Sequence, residues 1–127
     1  NFENAYLLTK AFVRIFEKGH IINFLDTKVE KNYTKHLDYL LSKKLLKAFT
    51  ELSAVHLGPS FRVNAIAPGL VLPPKGKDEN YLLNLAKDIP LKTIGNLEEI
   101  LKAFRFLLDS NFVTGQILYI DGGDHLI

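Results

Sequence analysis

The sequence predicts an α/β fold with a parallel sheet. Two observations carry this. Short β-branched runs alternate with segments whose apolar residues recur every three or four positions. At least one helical segment separates each run from the next, so successive strands are joined by crossover helices and not by tight hairpins. A sheet of this kind is covered on both faces.

The elements follow in order. Ala5, Leu8, Phe12, Ile15 and Phe16 make one face of a helix over 2–18, which Gly19 and His20 stop. Ile21-Ile22-Asn23-Phe24-Leu25 is a buried strand, and 26–34 reads as loop. Leu37, Leu41, Leu45, Phe49, Leu52 and Val55 lie on one side of a long helix over 37–57, ended by Gly58-Pro59. Phe61 to Ala67 is the second strand, punctuated by Pro68-Gly69. The aperiodic stretch 70–80 is long enough to be functional, and a short helix follows over 81–88. Asn96 caps a helix running to Leu108, with Glu98 and Glu99 in its first turn. Gly115 to Ile120 is the last strand, closed by Asp121-Gly122-Gly123 with no helix opening after it.

Composition limits the function. The 127 residues are 47% hydrophobic and 24% charged, with a net charge of +2 spread over mixed signs. That balance predicts one globular domain with no nucleic-acid footprint. No apolar run is long enough to span a membrane and no stretch reads as a signal peptide, so a cytoplasmic protein without a membrane partner is expected. Cysteine is absent, which excludes disulfides and thiolate metal sites. His20, His36, His56 and His125 are scattered, and no metal site is expected. The chain starts Asn1-Phe2-Glu3 and holds no Met, the helical pattern is already running at residue 2, and three parallel strands leave an edge wanting a neighbour. The expectation is that residues 1–127 form a single partial domain.

The informative chemistry is Tyr39-Leu40-Leu41-Ser42-Lys43. Residues four apart share a helical face, and an ammonium there stabilises a phenolate and lowers the phenol pKa. Such a tyrosine can exchange protons at neutral pH. The same spacing recurs at Tyr6 and Lys10, so context decides. Asp26 follows the first strand and Pro68-Gly69 the second, at the carboxyl edge where open α/β sheets build their sites. Tyr39 lies near the start of the long helix and joins them, whereas Tyr6 is mid-helix with no strand before it. Asp26 also fits a helix cap or a loop acid. Ser42 is read as a plain helix residue, Asn64 as a buried structural amide, and Arg62 as a surface residue at a strand end.

Tyr39 with Lys43 resembles the catalytic pair of the short-chain dehydrogenase/reductases. The resemblance continues through Arg62-Val63-Asn64-Ala65-Ile66-Ala67-Pro68-Gly69, Thr114-Gly115-Gln116 and Asp121-Gly122-Gly123, in the family's order. By the same resemblance Asn1 falls where the family carries a helix Asn that holds a water for proton relay. Most members have Ser where this chain has Asp26. The setting Ile21-Ile22-Asn23-x-x-Asp26 and the closing segment Phe112 to Leu126 are similar to the family's pteridine reductase branch, including bacterial dihydromonapterin and dihydrofolate reductases.

The resemblance implies the C-terminal half of a Rossmann-type doubly wound parallel sheet, with the N-terminal nucleotide-binding half absent from this chain. It implies hydride transfer from NADPH, in preference to NADH, to a C=N bond of a dihydropterin or dihydrofolate-like substrate. Tyr39 is then the proton donor, Lys43 holds the nicotinamide ribose, and Asp26 orients Tyr39 and the substrate. Tyr39, Lys43, Pro68, Gly69 and the backbone N–H of Val71 are expected at the cofactor, and Tyr33, His36, Leu70 and Leu72 at the substrate, under a lid formed by 72–80. A homo-tetramer or homo-dimer built partly on the helices at 2–18 and 37–57 is expected. Two other readings remain open: a carbonyl reductase resembling the 3-oxoacyl-carrier-protein reductases, and a non-catalytic relative acting as a binding subunit.

Overall fold

The computed structural model describes residues 2–33 and 35–127. Three strands, β1 (Gly19–Phe24), β2 (Phe61–Pro68) and β3 (Ile117–Ile120), pair in parallel in the order β1-β2-β3. The register sets Gly19 opposite Phe61 and Phe24 opposite Ile66, then Ala65 opposite Ile117 and Pro68 opposite Ile120. All three strands therefore end on one edge of the sheet.

Helices cover both faces. On one face α1 (Phe2–Ile15) and α2 (Leu37–Leu57) pack with Leu25, Val29, Leu46, Ala65 and Ala67, and on the other α4 (Leu97–Asp109) brings Ala103 and Leu107 onto Ile66. A fully buried aliphatic side chain such as Ile66 or Leu107 contributes about 1.5–3 kcal/mol, so this central strand dominates the core. The short α3 (Glu79–Ala86) is capped by Asp78, whose carboxylate accepts from the Tyr81 N–H. Asn96 caps α4 the same way through Glu99 N–H, as its sequence predicts. No helix among the described residues is long and apolar enough to cross a membrane.

Several expectations change. The first helix ends at Ile15, and Gly19 and His20 belong to the strand instead of forming a stop. The segment 26–34 contains a 3-10 turn, Thr27–Glu30, and a second such turn, Asp124–Leu126, follows Gly123. The helix α2 forms as expected over Leu37–Leu57, but its apolar stripe is not the side that is buried. Its Leu37, Leu41, Leu45, Leu52 and Val55 face outward, with Val55 85% exposed, and the buried positions are Leu40, Leu46, Thr50, Ser53 and Ala54. Small and hydroxyl side chains let the helix approach β2 closely, and Thr50 returns its own O–H to the Leu46 carbonyl while accepting from Asn23. Leu8 and Ile15 of α1, and Phe16 just past its end, are exposed likewise.

Arg62, expected at the surface of a strand end, stands near the start of β2 but is half-buried. Its guanidinium donates to the carbonyls of Leu107 and Val113 at 3.1 and 3.2 Å, satisfying the end of α4 from beneath. Asn64, fully buried, donates to the Val113 carbonyl and accepts from Gln116 N–H, which ties β2 to the approach of β3. It also bonds His20 Nε2 at 3.0 Å. Burial, and then the Arg62 charge, pull the His20 pKa down from 6.5 to about 4.

Two outcomes follow from this packing. Asn64→Ala orphans the Gln116 N–H, leaves the Val113 carbonyl only its Arg62 donor, and should cost roughly 1–3 kcal/mol in chemical denaturation of the full-length gene product; a loss under about 0.5 kcal/mol would contradict the tie. His20 should titrate near pH 4 by NMR. The folded state resists protonation there, so its contribution is full above pH 6.5 and is lost as pH falls toward 4. A His20 midpoint near 6.5 would contradict its burial against Arg62.

Candidate active site

The parallel register delivers three strand ends to the same edge. Asp26 stands just past β1, Pro68-Gly69 at the end of β2, and Asp121 just past β3. Gly69 is needed for close approach: a Cβ there would lie 2.6 Å from the Asp121 Cβ and 2.8 Å from its Cα. The Gly69 N–H then continues the ladder to the Ile120 carbonyl at 3.0 Å.

The first turns of α2 bring Tyr39 over Asp26. The Tyr39 hydroxyl donates to Asp26 Oδ2 at 3.0 Å. The other oxygen, Oδ1, accepts from the Lys28 N–H at 2.8 Å and caps the 3-10 turn. The cap and the partner to Tyr39 are thus one and the same carboxylate. One helical turn beyond Tyr39, Lys43 donates to the Phe24 carbonyl at 3.0 Å, and its Nζ lies 5.9 Å from the Tyr39 ring centroid.

This geometry reverses one electrostatic expectation. The Tyr39 pKa is raised and not lowered: burial pushes it up, and the Asp26 charge and hydrogen bond add to the rise, with a smaller push from Tyr33. The reason is distance and direction: the carboxylate touches the phenol, whereas the ammonium is turned to the strand carbonyl. Burial also lowers the Lys43 pKa, against an opposing pull from Asp26. Tyr39 is accordingly a firmly protonated hydroxyl aimed at a base.

Asp26 also lines a cleft of about 480 Å3, walled by Lys28, Gly69, Leu70, Leu72 and α3 residues such as Tyr81 and Leu85. Lys43 lies instead on a hollow of about 560 Å3 along β1, with His20, Phe24 and the α1 residues Leu8 and Phe12. The carboxylate thus lines the first cleft and Lys43 the second hollow, while Tyr39 lines neither and reaches the cleft through its bond to Asp26. Leu70 and Leu72 therefore share a wall with Asp26, while Tyr33 and His36 are not among the residues lining that cleft. His36 is exposed and left-handed at φ 61°, at the N-cap of α2 rather than on its helical face. The Val71 N–H is taken by the Gly69 carbonyl at 2.9 Å, so it closes the turn instead of projecting as an open donor. Asn1 lies outside the described residues.

Two features escaped the sequence reading. Ser42 accepts from the Phe2 N–H at 3.1 Å, satisfying the start of α1 from the helix that carries Tyr39 and Lys43. Thr27, buried beside Asp26, donates to Asp121 Oδ2 at 2.5 Å across 94 residues of sequence. The Asp121-Gly122-Gly123 motif marks one partner of that bond, but nothing local to Thr27 marks the other.

The fold and sequence match known proteins. The family model described as enoyl-(acyl carrier protein) reductase matches residues 1–125. A dihydromonapterin reductase of Citrobacter koseri is 38% identical over 127 residues, covering 95% of this chain and 52% of its own length. One from Escherichia coli (strain 536) is also 38% identical, with the same coverage. This chain thus spans about half the length of the curated relatives it matches. Among solved structures, the FolM alternative dihydrofolate reductase 1 of Brucella canis, complexed with NADP, superimposes with a TM-score of 0.93 at 30% identity, covering 98% of this chain and 51% of that one. A small-chain dehydrogenase in complex with NADPH gives 0.84 at 26% identity, covering 99% and 60%. The three-stranded parallel sheet is accordingly part of a Rossmann-type fold, and the chain belongs to the short-chain dehydrogenase/reductase family, on its pteridine reductase branch.

Proposed function

We propose that the protein carrying this chain is an NADPH-dependent reductase of a C=N bond in a dihydropterin or dihydrofolate-like substrate. The observation that carries the reading is the 3.0 Å bond from the Tyr39 hydroxyl to Asp26 at the rim of the cleft. The names of the similar proteins, dihydromonapterin reductase and an alternative dihydrofolate reductase complexed with NADP, support it.

Tyr39 is the proton donor. The hydroxyl carries its proton at neutral pH as any phenol does, which is the form an acid needs, and burial and Asp26 only strengthen that hold. Asp26 holds that hydroxyl in place and puts a negative charge beside the ring nitrogen that gains the proton. A cationic C=N–H group is stabilised by such a partner through a charge-assisted bond. Reduction of a ketone or enoyl thioester builds negative charge on oxygen, which Asp26 would oppose; this disfavours the carbonyl reductase reading. An intact Tyr39–Asp26 pair likewise disfavours a purely binding role.

The residues present fit a nicotinamide cofactor. The Lys43 ammonium is anchored on one side by the Phe24 carbonyl, which leaves donors for the hydroxyls of a ribose. NADPH would supply the hydride when bound. Pro68 and Gly69 shape the adjoining rim, and Leu70 and Leu72 give the substrate an apolar wall. Tyr33 and His36 are further substrate-side candidates, and Asn1 a candidate for proton relay. The exposed apolar faces of α1 and α2 support assembly into a homo-tetramer or homo-dimer.

Tyr39→Phe in the full-length gene product tests the reading. Removal of a positioned acid should lower turnover of dihydropterin by about 10²–10⁴-fold, with NADPH affinity within about threefold. Unchanged turnover would refute the assignment.

A further inference from the structure

The Asp26–Tyr39 bond sits at a surface where water competes for both partners, and such a bond nets only about 1 kcal/mol. It cannot fix its own geometry. The backbone that carries Asp26 must be held from behind, and the 3-10 turn Thr27–Glu30 that follows it is too short to be stable alone.

Three side chains at this turn reach the C-terminal segment. Lys31 pairs with Asp124 at 2.8 Å, Glu30 accepts from the Tyr119 hydroxyl, and Thr27 donates to Asp121 at 2.5 Å. The side chains of Lys31 and Glu30 are about a third exposed, so solvent weakens those links. Thr27 and Asp121 are buried. Thr27 is also the immediate neighbour of Asp26, so its displacement moves Asp26 directly.

Asp121 is itself immobilised. Its carboxylate accepts from the His125 N–H and Nδ1, both at 2.8 Å, and from the Gly123 N–H at 3.0 Å. The His125 ring stacks on Tyr119 with centroids 4.0 Å apart. Burial works against the charge, but these donors and Thr27 outweigh it and hold the Asp121 pKa below its ordinary value. The close seat of Gly69 against Asp121 fixes the end of β2 to the same point.

We propose that Thr27 and Asp121 are positioning residues for the proposed reduction: the buried Thr27–Asp121 bond fixes the Asp26 carboxylate under the Tyr39 hydroxyl. This rests on the assignment of Tyr39 and Asp26 above. It gives the Asp121-Gly122-Gly123-x-His125 segment a role in the reaction, although it touches neither Tyr39 nor Asp26.

The test is a mutant cycle in the full-length gene product, reading kcat and KM for dihydropterin with NADPH. Thr27→Val keeps the shape and leaves Asp121 its His125 and Gly123 donors. It should lower kcat about tenfold, with KM and NADPH affinity within about twofold, and Thr27→Ser should restore kcat to within about twofold. Should valine not fold there, Thr27→Ala is expected to show the same tenfold loss, about as large. In an Asp26→Asn background Thr27→Val should add no further loss, because both changes act on one group. A Thr27→Val or Thr27→Ala enzyme at wild-type kcat would overturn the proposal, as would an equal loss in the Asp26→Asn background. Unchanged turnover in Asp26→Asn alone would instead remove the assignment on which it rests.

Discussion

Asp26 divides its carboxylate between two jobs, and the rest of the candidate site depends on that division. One oxygen caps the 3-10 turn through Lys28, and the other receives the Tyr39 hydroxyl. Neither bond is strong. Their joint geometry is set by what converges on this edge: the end of β1, the first turns of α2, and the C-terminal segment reaching Thr27. The parallel sheet makes the convergence possible, because parallel strands end on one side and helices must return over the faces.

The electrostatics follow from contact distances. A lysine four residues along a helix is close enough to stabilise a phenolate only if its ammonium points at the oxygen. Here it points at the Phe24 carbonyl, and the carboxylate takes the hydroxyl. The outcome is a proton held on Tyr39, with a negative charge waiting beside it. That combination suits an acceptor that becomes cationic, such as a ring nitrogen, better than one that becomes anionic.

Much of this was legible in the sequence. The order of strands and helices follows from periodicity and turn residues, and Tyr39, Lys43 and Asp26 stand out because position relative to strand ends separates them from the accidental Tyr6–Lys10 pair. The orientation of α2 was not legible: periodicity shows that an apolar stripe exists, not that it meets the sheet, and Thr50, Ser53 and Ala54 seat this helix. Arg62 reads as surface because a charge usually is, until the carbonyls of Leu107 and Val113 give it partners. Thr27 was invisible because its partner is remote in sequence, and the Val71 N–H because turn closure depends on backbone torsions.

A carboxylate beside the proposed donor tyrosine should select a C=N substrate over a C=O one. The most direct measurement is a substrate panel on the full-length gene product with NADPH and with NADH. The panel sets dihydropterin and dihydrofolate against 3-oxoacyl and enoyl thioesters. The account predicts kcat/KM at least about 100-fold higher for the C=N substrates, with NADPH the better donor. Equal or faster reduction of the thioesters would contradict it.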